Sequence, residues 1–227
     1  MDESVRIEVT DDGPYRVVGG PPLVRTGQVE TEFGEPVDWE PDAPVATKTS
    51  EFELCRCGHT SRAPFCDSTH ERVPFDGTEV ADRGMYDERA YPYRGGELTM
   101  RDDRTICTQA GYCGDRFRNV WAMIADATDP AVAERIRHMS MLCPSGRLVT
   151  QPDEAEQRDE IDYAPSIGVI RDGPLWVRGG IPVVAADGTP YDVRNRMTLC
   201  RCGRSGNKPF CDGSHKDGSR SSQTTSS

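Results

Sequence analysis

Residues 200–215 read CRCGRSGNKPFCDGSH, and residues 55–70 read CRCGHTSRAPFCDSTH. Both runs follow the spacing Cys-x-Cys-x8-Cys-x3-His, with Cys200, Cys202, Cys211 and His215 in one and Cys55, Cys57, Cys66 and His70 in the other. Four such donors can hold zinc, or two irons bridged by sulfide. Structural zinc usually separates a cysteine pair by two to four residues, so that both thiolates turn toward one ion. A pair one residue apart suits a two-iron cluster better, with both thiolates on one iron and the remaining cysteine and histidine on the other. A disulfide framework fits least, because nine cysteines cannot all pair.

The two runs belong to an internal repeat. Residues 7–24, IEVTDDGPYRVVGGPPLV, align without gaps on residues 167–184, IGVIRDGPLWVRGGIPVV, at an offset of 160. The cysteine motifs align at an offset of 145, so the first copy carries fifteen extra residues. They fall around EFGEPVDWEPDAP, an acidic, proline-rich stretch expected to form a surface loop. Each copy opens with two β-type runs, Val5 to Val9 and Tyr15 to Val18, then Ile167 to Ile170 and Leu175 to Val177. A D-G-P turn separates the runs and a Gly-Gly turn follows them. Neither copy shows a strong helical period. Each reads as a small antiparallel β unit leading into a metal loop.

Composition narrows the setting. Hydrophobic residues make up 35% of 227, low for one large core, while 22 glycines and 17 prolines point to small loop-rich units. A net charge of −11 argues against nucleic acid and anionic membranes as partners. No apolar run approaches the length of a membrane span, and MDESVRIEVTDDG has neither the basic region nor the apolar run of a secretion signal. A reducing, cytoplasmic setting is the expectation, and there cysteines bind metal or do redox work.

The residues around the ligands resemble the CDGSH iron-sulfur, or NEET-type, family, whose pattern is C-x-C-x2-[S/T]-x3-P-x-C-D-G-[S/A/T]-H. The second copy meets every position, with Ser205, Pro209, Asp212, Gly213 and Ser214 among the ligands. The first holds Thr60, Pro64, Asp67 and Thr69 and departs at Ser68, where the family has glycine. The prolines would stiffen the approach to the third thiolate. Asp67 and Asp212 would fix the loop, and Thr60 and Ser205 could donate toward cluster sulfur. The Asp-Gly-Ser-His run could present backbone N–H groups to sulfide. A histidine in place of a thiolate raises the reduction potential and makes a cluster acid-sensitive, because protons compete with iron for the imidazole. Arg56 and Arg201, between the paired cysteines, are expected to offset cluster charge or to lie solvated. The resemblance implies a compact β-fold whose units normally pair, so the two copies could pair within one chain as a pseudo-dimer.

The remaining cysteines, Cys107, Cys113 and Cys143, lie between the copies in ICTQAGYC and MLCPSGRL. Three thiolates, with Ala110 in the slot of a further cysteine, suit [3Fe-4S], or [4Fe-4S] with a non-cysteine fourth ligand. The surrounding stretch resembles the divergent mono-cluster [4Fe-4S] ferredoxin-like family, which reads C-x-H-A-G-x-C and ends in CPSGAL. Here Gln109 replaces the histidine and Arg147 the alanine. Asp129 and Pro130 read as the cap and first position of a helix with Val132, Ile136 and Met139 on one face, ending near Cys143. GRLVT at 146–150 reads as a return strand and 151–160 as a charged linker.

The expected fold is β-rich α+β, with two small CDGSH β units around a ferredoxin-like α+β segment. Its parts are residues 1–80, 90–150 and 161–216, with a disordered tail over 217–227. The expected cofactors are two [2Fe-2S] clusters and one [3Fe-4S] or [4Fe-4S] cluster. No nucleotide-binding loop or nucleophile–base pair stands out, so the expectation is an electron carrier rather than an enzyme. Its partner would be a redox protein. A cluster carrier or redox sensor serving an apo-iron-sulfur acceptor is the alternative, and a zinc scaffold the third reading.

Overall fold

The computed structural model describes residues 4–153, 155 and 157–221. The first copy supplies β1 (Arg6–Val9), β2 (Tyr15–Val18), β3 (Leu23–Thr26), β4 (Gln28–Glu30), β5 (Pro36–Trp39), β6 (Ala43–Pro44) and β7 (Phe52–Leu54). The middle segment supplies α1 (Tyr86–Arg89), β8 (Tyr91–Gly95), β9 (Leu98–Asp102), α2 (Val120–Met123), α3 (Pro130–Met141) and β10 (Leu148–Pro152). The second copy supplies β11 (Ser166–Ile170), β12 (Leu175–Arg178), β13 (Val183–Val184) and β14 (Arg196–Leu199). The chain is β-rich with few helices, as its short alternating runs and turn glycines require.

The D-G-P turns close antiparallel hairpins in both copies, pairing Ile7 with Val17 and Ile167 with Val177. The next strand of each copy then leaves its own hairpin for the other's. β3 runs parallel to β11, with Leu23 opposite Ile167, and β13 runs parallel to β1, with Val183 opposite Ile7. At the offset of 160, Ile7 corresponds to Ile167 and Leu23 to Val183, so the two pairings are the same pairing made twice. The sheets are therefore β13-β1-β2-β7 and β14-β12-β11-β3-β6, each containing strands of both copies. One apolar core serves them, with Ile7, Tyr15, Val17 and Leu54 packed among Ile167, Leu175, Val177 and Leu199.

The middle segment has its own core. Strands β8, β9 and β10 form an antiparallel sheet, and Val120, Met123, Ile136 and Met139 pack with Leu98, Met100 and Leu148. Helix α3 begins as its sequence requires, with the Asp129 side chain accepting from the Ala131 N–H and Pro130 in the first turn.

Three expectations need revision. The insertion is not a bare loop: β4 and β5 form a hairpin within it. The stretch 151–160 is not a plain linker, because Gln151 and Pro152 finish β10 and the carboxylate of Glu160 binds Arg196. A buried guanidinium needs that partner, which is why a charged segment is held against the fold. Of the tail expected over 217–227, the backbone continues from the second motif as a 3-10 run over Ser214–Ser221, and residues 222–227 lie outside the described residues.

Candidate metal centres

Each motif begins where a strand ends. Beyond β7 and β14 the chain loops out and returns antiparallel, bridging Leu54 to Phe65 and Leu199 to Phe210. The N–H groups of Cys55 and Cys200 donate to the carbonyls of Pro64 and Pro209, each at 2.8 Å. Those of Cys66 and Cys211 donate back to Glu53 and Thr198, at 3.0 and 2.9 Å. The first and third ligands of each motif are thus tied to one strand end, and the prolines act through their carbonyls.

The ligands stand in pairs. The sulfurs of Cys55 and Cys57 are 3.7 Å apart and those of Cys200 and Cys202 3.8 Å apart. Nδ1 of His70 lies 3.5 Å from the Cys66 sulfur, and Nδ1 of His215 lies 3.4 Å from that of Cys211. Among the described residues, no three potential ligand side chains gather as they would around a single ion. Two pairs per loop fit a group with two metal ions, each taking one pair, and present Nδ1 as the imidazole donor. Burial pushes the Cys57 thiol up to about 11 and the Cys211 thiol up to about 12. Metal must therefore displace protons from these sulfurs at neutral pH.

Side-chain hydrogen bonds brace the loops. Asp67 accepts from the N–H and hydroxyl of Ser61 and from the Thr69 N–H. Asp212 accepts from the Gly206 N–H and from the N–H and hydroxyl of Ser214. The hydroxyls of Thr60 and Ser205, expected to face cluster sulfur, instead donate to the carbonyls of Phe65 and Phe210, each at 2.7 Å. A hydroxyl has one proton, and closing the eight-residue loop uses it. The N–H groups of Ser68 and Gly213 point at the Cys66 and Cys211 sulfurs, each at 3.4 Å. Of the N–H groups expected near sulfide, these reach ligand sulfur.

Arg56 and Arg201 are neither solvated nor simple counter-ions. Arg56, 2% exposed, donates to the carbonyls of Thr10 and Gly77 and lies over the rings of Tyr15 and Phe75. Arg201 donates to the carbonyls of Ile170 and Gly173. Each arginine ties the D-G-P turn of its own copy to its own cysteine pair.

The two loops meet back to back. A Cβ on Gly58 would lie 2.7 Å from the Cys202 carbonyl oxygen, and one on Gly203 2.5 Å from that of Cys57. Both glycines have positive φ, +81° and +76°. Their surroundings differ nonetheless. The Tyr15 hydroxyl reaches the carbonyls of Cys200 and Pro209, each at 2.9 Å, and the N–H groups of Val80 and Ala81 donate to the Lys208 carbonyl. Tyr15, Val80 and Ala81 cover the second loop, where Cys211 and Gly213 are buried; in the first loop Cys66 is half-buried and Ser68 exposed.

The structure brings Cys107, Cys113 and Cys143 together around a cavity of about 40 Å³, lined also by Gln109, Ala110, Tyr112 and Arg147. Arg147 binds Asp102 through two hydrogen bonds of 2.6 and 3.0 Å and lies over the Trp121 ring. Burial works against its charge, but Asp102 and Cys107 outweigh that and hold its pKa above the ordinary value. Three thiolates beside a fixed cation fit an anionic cluster. No fourth thiolate or imidazole lines this cavity. Cys143 follows the C-terminal end of α3, where Arg196 donates to the carbonyls of Ser140, Met141 and Cys143 at 2.8–2.9 Å. Sequence reasoning missed Arg196, which follows Arg194 and Asn195 at the start of β14 and reads as one more polar residue before the strand.

The insertion hairpin covers this site. Gln28 donates to the Ala110 carbonyl at 2.6 Å, and Trp39 Nε1 to that of Leu142 at 3.0 Å. The Tyr112 hydroxyl donates to the Asp38 carbonyl at 2.8 Å, and Glu35 accepts from the Arg116 N–H and guanidinium.

Comparison with known families agrees with this division. The iron-binding zinc finger family of CDGSH type matches residues 12–71 and again 172–216, and the divergent 4Fe-4S mono-cluster family matches residues 93–153. No curated protein and no solved structure matches the chain significantly. No helix among the described residues is long and apolar enough to cross a membrane. Two segments that match the CDGSH-type iron-binding family thus flank one that matches the divergent 4Fe-4S mono-cluster family, and together they support an iron-sulfur protein.

Proposed function

We propose that this protein is a multi-cluster electron carrier. Cys55, Cys57, Cys66 and His70 would hold one [2Fe-2S] cluster, and Cys200, Cys202, Cys211 and His215 a second. Cys107, Cys113 and Cys143 would hold a [3Fe-4S] or [4Fe-4S] cluster. The observation that carries this reading is the paired arrangement of the ligands in two loops that touch at Gly58 and Gly203. Bound clusters would supply one-electron redox chemistry. The chain would supply the ligands, the half-buried cation Arg147 and the hydrogen bonds that tune it. The reciprocal pairing of Ile7 with Val183 and Ile167 with Leu23 supports an internal pseudo-dimer of the two CDGSH segments.

Iron and sulfide counts, with EPR of the oxidised and dithionite-reduced protein, test the assignment. The expected result is two reduced [2Fe-2S] signals and a third signal of different nuclearity. A colourless protein with stoichiometric zinc and no iron would overturn it. A monomeric mass with all clusters retained is the outcome expected for the pseudo-dimer. The exposed rim of the first loop at Ser68 favours a second reading, a carrier that hands its cluster to an apo-iron-sulfur acceptor. Mixing the loaded protein with apo-ferredoxin separates the two: electron transfer leaves the iron where it was, and cluster transfer moves it.

A further inference from the structure

The three sites are not equally spaced in their connections. The loop bearing Cys107 touches the second CDGSH loop at several points. Asn207 Nδ2 donates to the Thr105 carbonyl at 2.9 Å, and Lys216 Nζ donates to that of Gln109. The Gln109 side chain packs on Gly213, where a Cβ would lie 2.7 Å from both its Cγ and its Nε2. Behind them, Arg196 of β14 binds the Cys143 carbonyl, and the same strand leads four residues later into Cys200. Two of the three central cysteines are thus held by the second motif's own strand and loop. Among the described residues, no hydrogen bond or ion pair joins loop 55–70 to the central cysteines' loops.

The repeat shows that this is built into one copy. At the offset of 145, Arg196 corresponds to Glu51, which binds Arg16 on the surface. Gly213 corresponds to Ser68, which is exposed with φ +61°. The second copy's glycine has φ +90°, and in addition Gln109 occupies the space a side chain would take. The first copy has no such neighbour and carries serine. Gln109 itself stands where the mono-cluster pattern has histidine, and here its side chain packs on the second CDGSH loop.

We propose that the central site and the second CDGSH site are built as a coupled pair, so that metal in one orders the ligand loop of the other, while the first CDGSH site loads independently. Gln109, Asn207, Gly213, Lys216 and Arg196 are its positioning residues. The inference rests on the ligand assignment above and not on electron transfer.

The test is hydrogen–deuterium exchange of the full-length, iron-loaded protein with and without the central ligand Cys107, as Cys107→Ser. Exchange over 205–216 should rise on the order of tenfold, with 58–69 unchanged. Gly213→Ala should weaken central loading, read as iron per chain, and adding Gln109→Ala should recover part of it by removing the clash, the strain of alanine at φ +90° remaining; Ser68→Ala should do nothing. Equal effects on both CDGSH loops, or none on either, would overturn the pairing. Wild-type iron confined to the two CDGSH sites would overturn the ligand assignment, and the pairing with it. Full iron with uncoupled exchange overturns the pairing alone.

Discussion

Gly203 faces the Cys57 carbonyl so closely that a methyl group on it would sit 2.5 Å away, and Gly58 faces the Cys202 carbonyl in the same way at 2.7 Å. Each motif's first glycine is therefore defined by the other motif. Gly203→Ala should destabilise the protein by roughly 2–4 kcal/mol, combining left-handed backbone strain with a backbone clash. Urea unfolding measures the loss. The EPR lines of both proposed [2Fe-2S] clusters should shift, although only one loop is altered.

Arg147 is the cation of the central site, and its buried partner Asp102 is 2% exposed. Arg147→Ala should lower the central midpoint potential by roughly 60 mV, the one-electron equivalent of about 1.4 kcal/mol. A reduced cluster carries one more negative charge and gains most from the cation. The variant also leaves Asp102 without its strongest partner, at a cost of about 3–5 kcal/mol. Arg147→Lys should keep most of the potential, and an EPR-monitored redox titration decides between charge and packing.

The hairpin of the insertion should shield the central cysteines. The Trp39 ring lies 4.6 Å from that of Trp176 and 5.0 Å from that of Tyr112, joining the hairpin to both neighbours. Trp39→Ala should cost about 3 kcal/mol. The central absorbance should then bleach faster in air, with the CDGSH signals unchanged. Equal bleaching of wild type and variant would exclude a shield.

Acid should release iron from the two sites proposed to use a histidine ligand before it disrupts their loops. Hydrogen bonds from Thr69 and Ser61 hold the Asp67 carboxyl well below the usual carboxylate range. Burial raises Asp212, but its bonds from Ser214 and Gly206 prevail and lower it. A depressed carboxylate contributes its stability above the ordinary pKa and loses it only as pH falls through the lowered value. Between about pH 5 and 7 both aspartates stay charged, so iron lost in that window reports protons competing for the metal ligands rather than collapse of the loops. His70→Cys and His215→Cys should each slow the loss at one site when absorbance is followed after a pH jump.

Much of the architecture was legible because it is local. The D-G-P turns, the Asp129-Pro130 start of α3 and the ligand spacing all depend on residues near one another in the chain. The revisions come from contacts that spacing alone does not specify, some within a loop and some across the chain. Thr60 and Ser205 read as donors to sulfur until their loops closed on Phe65 and Phe210. Arg56 and Arg201 read as counter-ions or solvated side chains, and only the fold brings the turn carbonyls within their reach.

The sequence by itself determined that there are two matching ligand loops and three cysteines between them, because spacing decides which donors can turn toward one metal group. The tertiary structure alone decided which sites are neighbours. Strands β3 and β13 cross between copies, the hairpin of the insertion folds over the central cysteines, and Gly213 rather than Ser68 receives Gln109. Such contacts join residues far apart in the chain, and they form only where buried surface and satisfied backbone groups outweigh the entropy of bringing them together.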